Sequence, residues 1–412
     1  VMSETPSNPQ QALTRALSRA MEFHGQGRLA EAEGIYRKVL ADEPDNPAAL
    51  HLLGVLALQA GGNHAAVELI SKALAVKPDY PEAHNNLGIV LRRLGRHDDA
   101  AASFENALDL APDYAEALNN LGTTLLDRKR PEDAADCFSK ALAYKPDYAE
   151  AHNNLGLALV ELARADDAVA SYQKALALTP DAPEVHNNLG SALRQLGRRG
   201  LAAAAFANAL SLKPDYAEAH SNLGAALQEL GRFGEAEARY LEALALDPDY
   251  AEAHNNLGIV QKDLGRLEEA LASFNKALAL APQKADVHNN LGDALNQLGR
   301  PEEAEKSIRK ALEINPDFAA AHSNLIFIQD SFSHMDQAAQ QAERKRWDDR
   351  FIRPLSRKTK PHANVRRDGR RLRIGYVSAD FKYHSACLGF APLILDHDRE
   401  RFEVVCYDGG AV

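Results

Sequence analysis

The sequence predicts a mostly α-helical solenoid of stacked helix pairs, followed by the start of an α/β domain. Three observations lead there. Glycine recurs every 34 residues, at Gly54, Gly88, Gly122, Gly156, Gly190, Gly224, Gly258 and Gly292. Other columns keep that step: alanine from Ala32 to Ala304, a bulky residue four later (Tyr36, Phe104, Phe138, Tyr172, Phe206, Tyr240, Phe274), and a closing proline from Pro44 to Pro316. After Arg371 the period stops and a short β-prone run begins, LRIGYVS. Self-similarity at this interval marks repeats in which one helix pair cannot bury its own apolar face and must stack on its neighbours.

Each unit carries its own start and stop signals. In PDYPE, Asp79 and Glu82 are spaced for a capping box at the first helix. Gly95 ends that helix as a left-handed cap and turns the chain into the second. The small alanine column lets the paired helices approach, and the Phe/Tyr column is expected to fill the space between units. Nine full repeats run from about Gln11 to Asp317, and a partial tenth carries HSNLI at 322–326. The first unit is the most diverged, with Ala20 in the glycine column. These columns resemble the tetratricopeptide repeat, which implies a right-handed superhelix of antiparallel helix pairs over residues 11–340.

Bulk composition excludes several functions. At 412 residues the chain exceeds one small core, so more than one unit is expected. A formal net charge of −11 argues against general nucleic-acid binding. Cys137, Cys387 and Cys406 are too few and too scattered for a disulfide framework, which suits a reducing, cytoplasmic setting. The N-terminus has no apolar segment typical of a signal peptide, and no run is long enough to span a membrane. Residues 1–10 are expected to be a disordered tail.

The stretch AHNNLG and its variants raise the functional question. With Pro81 as position one, His84 is fourth, Asn85 fifth, Asn86 sixth and Gly88 eighth. At about 100° per residue, positions four, seven, eight and eleven share one side, while five, six, nine and thirteen fall on the opposite arc. The sixth column is Asn86, Asn120, Asn154, Asn188, Asn222, Asn256, Asn290 and Asn324. The fifth is Asn85, Asn119, Asn153, Asn187, Ser221, Asn255, Asn289 and Ser323. Each asparagine costs its helix roughly half a kcal/mol against alanine, which packing gives no reason to accept. A carboxamide offers two donors and an acceptor, so a ladder of them can hold a peptide backbone without reading side chains. Extended or disordered protein segments are the partners expected in such a groove. A structural alternative has the sixth amide bonding a backbone group of the next repeat.

Other constellations carry duller readings. The histidines at position four (His84, His152, His186, His220, His254, His288, His322) sit on the packed side. Stacked repeats place them about 8–10 Å apart, whereas zinc needs nitrogens at about 2.0–2.1 Å, so they are packing residues and no metal is expected. A carboxylate clamp needs lysine at position five and asparagine at nine, and neither occurs. Residues 341–371 read as a helix and a basic linker; from Arg353 to Arg373 nine residues are basic and only Asp368 is acidic.

Residues 372–412 read as strand, loop, helix (388–398) and strand (402–407), one βαβ unit of a parallel sheet. GYVSADFKYH followed by a helix and RFEVVCY resembles the start of the catalytic region of the O-linked N-acetylglucosamine transferase family, which includes SPINDLY-type protein fucosyltransferases. That resemblance implies a Rossmann-like GT-B lobe after an array with an asparagine-lined groove, and transfer of a sugar from a nucleotide donor (UDP-GlcNAc or related) to protein Ser/Thr hydroxyls. The family's active-site histidine maps to His384; Ser385 stands where proline is common, and Cys387 where a second histidine is found. No cofactor is expected in this chain itself. It ends after the second strand, so this polypeptide alone is expected to lack transferase activity. The alternative is a non-catalytic scaffold for protein–protein interactions.

Overall fold

In the computed structural model the described residues are 9–331, 337–356, 372–378 and 402–408. The chain divides into two compact units, residues 1–344 and 345–412. The first is a stack of helix hairpins. Its members are α1 (Pro9–Gly25) with α2 (Leu29–Asp42), α3 (Pro47–Gln59) with α4 (Asn63–Val76), and α5 (Pro81–Arg93) with α6 (His97–Leu110). Then come α7 (Ala115–Asp127) with α8 (Pro131–Tyr144), α9 (Ala149–Glu161) with α10 (Ala165–Leu178), and α11 (Pro183–Gln195) with α12 (Arg199–Leu212). The last are α13 (Ala217–Glu229) with α14 (Phe233–Leu246), α15 (Ala251–Asp263) with α16 (Leu267–Leu280), and α17 (Ala285–Gln297) with α18 (Pro301–Ile314). Helix α19 (Ala319–Ser331) opens a tenth hairpin and α20 (Gln337–Trp347) follows it. Gln340 Nε2 donates to the Gln329 carbonyl at 2.8 Å, and the buried Glu343 meets His322 Nδ1 at 3.2 Å. First helices of successive repeats touch each other directly from α3 through α19, so they form the inner, concave row.

The glycine column makes the hairpin close. A Cβ on Gly156 would lie 2.5 Å from Cε1 of Tyr172, whose ring is fully packed. The same geometry recurs at Gly88 over Phe104 and Gly190 over Phe206. The aromatic column therefore fills the crevice inside its own hairpin, against the glycine, rather than the space between units as expected. The reason is that a ring on the second helix reaches the first only where that helix has no side chain.

Helix ends divide between one confirmed and one corrected device. Gly95 has φ +73°, and the Arg96 amide donates to Leu91 O and the Gly95 amide to Arg92 O, both at 2.9 Å. That is a Schellman cap. The capping box at Asp79 and Glu82 is not formed. Tyr80 is the N-cap without a side-chain bond, and Pro81 occupies the first turn. Proline at the first helical position fixes the start one residue later than a capping Asp79 would need. Helix α1 begins at Pro9, inside the stretch read as a tail to residue 10.

In the second unit, five π-helical residues, Asp348–Ile352, lead into α21 (Arg353–Ser356). Strands β1 (Leu372–Ser378) and β2 (Phe402–Asp408) pair in parallel, in register from Leu372 opposite Phe402 to Ser378 opposite Asp408. Residues 1–8, the linker residues 357–371, the predicted helix 388–398 and His384 lie outside the described residues. Among the described residues no helix is long and apolar enough to cross a membrane.

Candidate functional site

The asparagine columns come together in a way the isolated helix does not foretell. Position six of one repeat donates through Nδ2 to Oδ1 of position five in the preceding repeat. Asn120 reaches Asn85 at 3.0 Å, Asn154 reaches Asn119 at 3.0 Å, and Asn188 reaches Asn153 at 3.0 Å. Asn222 bonds Asn187 at 3.0 Å, Asn290 bonds Asn255 at 3.1 Å, and Asn324 bonds Asn289 at 3.0 Å. The doubled amide is thus an inter-repeat ladder. The structural alternative had the right neighbour but the wrong partner, since the acceptor is a side chain rather than the backbone.

This corrects the expected orientation of position five. Asn85, Asn119, Asn187, Asn255 and Asn289 are buried, Asn119 completely. The next first helix lies over them, and a helical wheel for one helix contains no such neighbour. Position six is half-buried along most of the column, with Asn154 buried. One of its N–H groups is engaged inward, while an amide carries a second N–H and an acceptor oxygen.

Two further residue types complete each rung. The Asn119 Nδ2 donates to Glu150 at 3.0 Å and Asn187 Nδ2 to Glu218 at 3.1 Å, both at position two of the following repeat. The tyrosine just before that helix neighbours the same amide, which acts against burial to lower its pKa: Asn85 on Tyr114, Asn119 on Tyr148, Asn187 on Tyr216. Burial pushes the Tyr148 and Tyr216 phenols up to about 12, so they remain protonated. Lys77, Lys145 and Lys213 lie over the rings of Tyr80, Tyr148 and Tyr216 at 4.6–4.8 Å. These tyrosine and glutamate partners were missed, although both recur at the 34-residue step.

The ladder begins on a histidine. His51 occupies position five of α3, is 4 % exposed, and faces Asn86 Nδ2 through Nε2 at 2.8 Å and the Tyr80 hydroxyl through Nδ1 at 3.0 Å. The amide is a donor there, so Nε2 accepts and the proton sits on Nδ1. Burial lowers its pKa to about 4.

The histidines at position four tie down the turns. Their Nε2 atoms meet the carbonyl of the closing proline: His84 with Pro78 at 2.8 Å, His152 with Pro146 at 3.0 Å, His220 with Pro214 at 2.9 Å, His322 with Pro316 at 3.2 Å. A packing role stands, with a hydrogen bond the sequence reading did not include.

Close glycine-on-ring hairpins, first helices lining an inner face, and polar rungs between them define a helical-repeat solenoid. The chain belongs to the tetratricopeptide-repeat proteins. Models described as tetratricopeptide repeat match residues 23–88, 79–147, 119–183, 215–283 and 249–317, and one described as TPR repeat matches 190–231. None of the curated proteins matches the chain. Among solved structures, the APC/C hetero-tetramer Cut9-Hcn1 is similar at 16% identity and a TM-score of 0.53, over 77% of this chain and 76% of that one. That likeness shows the fold. YrrB, titled a TPR protein with an unusual peptide-binding site, is similar at 26% identity and a TM-score of 0.38, over 45% of this chain and 96% of that one. PilF of Pseudomonas aeruginosa is similar at 20% identity and a TM-score of 0.46, over 51% of this chain and 95% of that one.

Proposed function

We propose that this protein is a scaffold whose inner face holds extended segments of other proteins. Tetratricopeptide repeats mediate protein–protein interaction, and the observation that carries the reading here is the column of half-buried position-six amides, Asn86 through Asn324, on the inner helices. Their outward N–H and C=O groups match the hydrogen-bonding groups of an extended backbone, at intervals set by the repeat. Leu157, at position nine of the same face, is exposed outside the ladder. Leu157→Arg is expected to weaken binding of a fluorescein-labelled, permanently unfolded protein several-fold in anisotropy titrations without changing the melt. Leu201→Arg, exposed on the second helix α12, is expected to have no effect. Equal behaviour of the two variants would move the binding surface elsewhere.

A second reading has one specific support, the resemblance of GYVSADFKYH and RFEVVCY to a protein O-glycosyltransferase, on segments whose strands β1 and β2 pair in parallel. In it, the array recruits protein substrates for a Rossmann-like GT-B catalytic domain that uses a nucleotide sugar. His384 would then serve as an acid/base or hydrogen-bond partner at the acceptor hydroxyl. Radiolabelled sugar transfer by a protein that continues this reading frame tests it; no transfer from any nucleotide sugar, with binding intact, leaves the scaffold reading alone.

A further inference from the structure

The ladder has a gap inside the array. At the interface of α13 and α15, position five is Ser221, whose hydroxyl ends one atom short of a carboxamide oxygen and acts instead on the neighbouring Tyr250 phenol, lowering its pKa against the effect of burial. Asn256 therefore has no rung. Its Oδ1 accepts from Asn255 at 3.3 Å, and its Nδ2 donates to nothing among the described residues. Glu252 stands where Glu150 and Glu218 accept a position-five amide, and it too has no partner among the described residues. Both residues line the space beside Ser221, Glu252 as an exposed side chain.

The space for that amide is open. A cavity of about 520 Å³ is lined by Ser221, Asn222, Ala225, Glu252, Asn256 and Arg194. It also contains a buried donor without a partner, Nε of Arg194. We infer that this cavity is a subsite for the carboxamide of a glutamine or asparagine in the bound segment. The ligand's amide oxygen accepts from Asn256 Nδ2 and its amide N–H donates to the Glu252 carboxylate, completing the rung from outside. The lining holds Glu229, Glu252 and Asp263 against one guanidinium, Arg194, which pairs with Glu229 at 3.2 Å, so a carboxylate side chain is repelled. An ammonium can pair with Glu252 but leaves the Asn256 donor without an acceptor, whereas a neutral carboxamide supplies both a donor and an acceptor. Such a pocket fixes the register of a segment that the remaining amides hold without regard to sequence. The inference rests on the groove reading above.

The test uses the whole chain and short labelled peptides of alternating serine and threonine, with one central residue varied among Gln, Asn, Glu, Lys and Ala. The wild-type protein is expected to bind the Gln peptide about tenfold more tightly than the Ala peptide, as for hydrogen bonds involving a charged partner. Ser221→Asn supplies the rung internally; it is expected to erase that preference and raise resistance to denaturant. Glu252→Gln, which leaves the cavity's shape, is expected to reduce the preference as well. Equal binding of Gln and Ala peptides to wild type would overturn the subsite and leave the groove reading standing. A preference for Glu or Lys would overturn its chemistry. Failure of every peptide to bind at millimolar concentration would overturn both.

Discussion

Asn154 and Asn256 occupy the same column, but only the first has a rung, so alanine at each separates the ladder from helix propensity. Asn154→Ala removes the donor to Asn119 Oδ1, now at 3.0 Å. Asn119 is 0 % exposed, so water cannot replace the lost partner. A buried acceptor left unsatisfied costs about 1–3 kcal/mol. Alanine returns roughly half a kcal/mol in helix propensity, leaving a net loss of about 0.5–2.5 kcal/mol. Asn256→Ala breaks only the 3.3 Å contact from Asn255, so it is expected to range from neutral to roughly half a kcal/mol stabilising. Guanidinium titration followed by circular dichroism gives the order of the two variants. Repeat arrays unfold segment by segment, so hydrogen exchange in α7 and α9, against α13 and α15, should localise the effect. The paired variant Asn119→Ala with Asn154→Ala should lose less than the two single losses added, because both ends of one bond are removed. Equal destabilisation at Asn154 and Asn256, or a larger loss at Asn256, would refute the ladder as a source of stability.

His51 makes the N-terminal interface sensitive to acid. Its folded pKa of about 4 lies below the ordinary imidazole value, so the neutral ring is favoured in the folded state. Its contribution is complete above about pH 6.5 and lost as pH falls toward 4, amounting to about 3 kcal/mol. His51→Asn, which restores the amide of the column, should remove that component from pH-dependent melts. Gly156→Ala would place a Cβ 2.5 Å from Tyr172; overpacking of about 1–3 kcal/mol should outweigh about 1 kcal/mol of propensity. Gly34→Ala, in α2 with nothing within 4 Å, should instead stabilise by about 0.5–1 kcal/mol in the same denaturant assay. Lys129 and Ala163 take the left-handed cap position held by Gly95 elsewhere, with φ of 58° and 57°. Glycine at either should stabilise by about 1 kcal/mol, read as a shift in denaturation midpoint at unchanged slope.

How much was legible follows the range of the interactions. The 34-residue columns, the glycine-capped first helix and its buried glycine side are local or within one hairpin, and the sequence shows them. The amide pair was legible as a functional anomaly, but its partners lie 35 residues away across a stacking interface. A helical wheel places positions five and six together because it contains only one helix; stacking separates them in most repeats, burying five and leaving six half-buried, with Asn153 and Asn154 the reverse. The capping box failed at Asp79 for a similar reason of competition, since Pro81 determines where the helix can begin. His51 and Ser221 stood in the fifth column throughout. Their meaning needed the rung geometry, which shows one substituting for the amide and the other leaving it out.

On the proposed groove reading, that geometry couples binding to stacking. A position-six amide that donates inward to its neighbour and outward to a ligand belongs to a chain of hydrogen bonds, and such bonds polarise and strengthen one another. On that reading, a segment lying along the inner face would stiffen the interfaces it crosses, and its affinity would appear as added stability of the array. The interface of α13 and α15 starts from a different condition. Among the described residues the Asn256 Nδ2 has no acceptor and Glu252 no hydrogen-bond or ion-pair partner, so on the inferred subsite a bound carboxamide would supply the missing rung. A bound carboxamide should protect α13 and α15 from exchange more than any other pair of first helices, because only there does the ligand complete a rung rather than reinforce one.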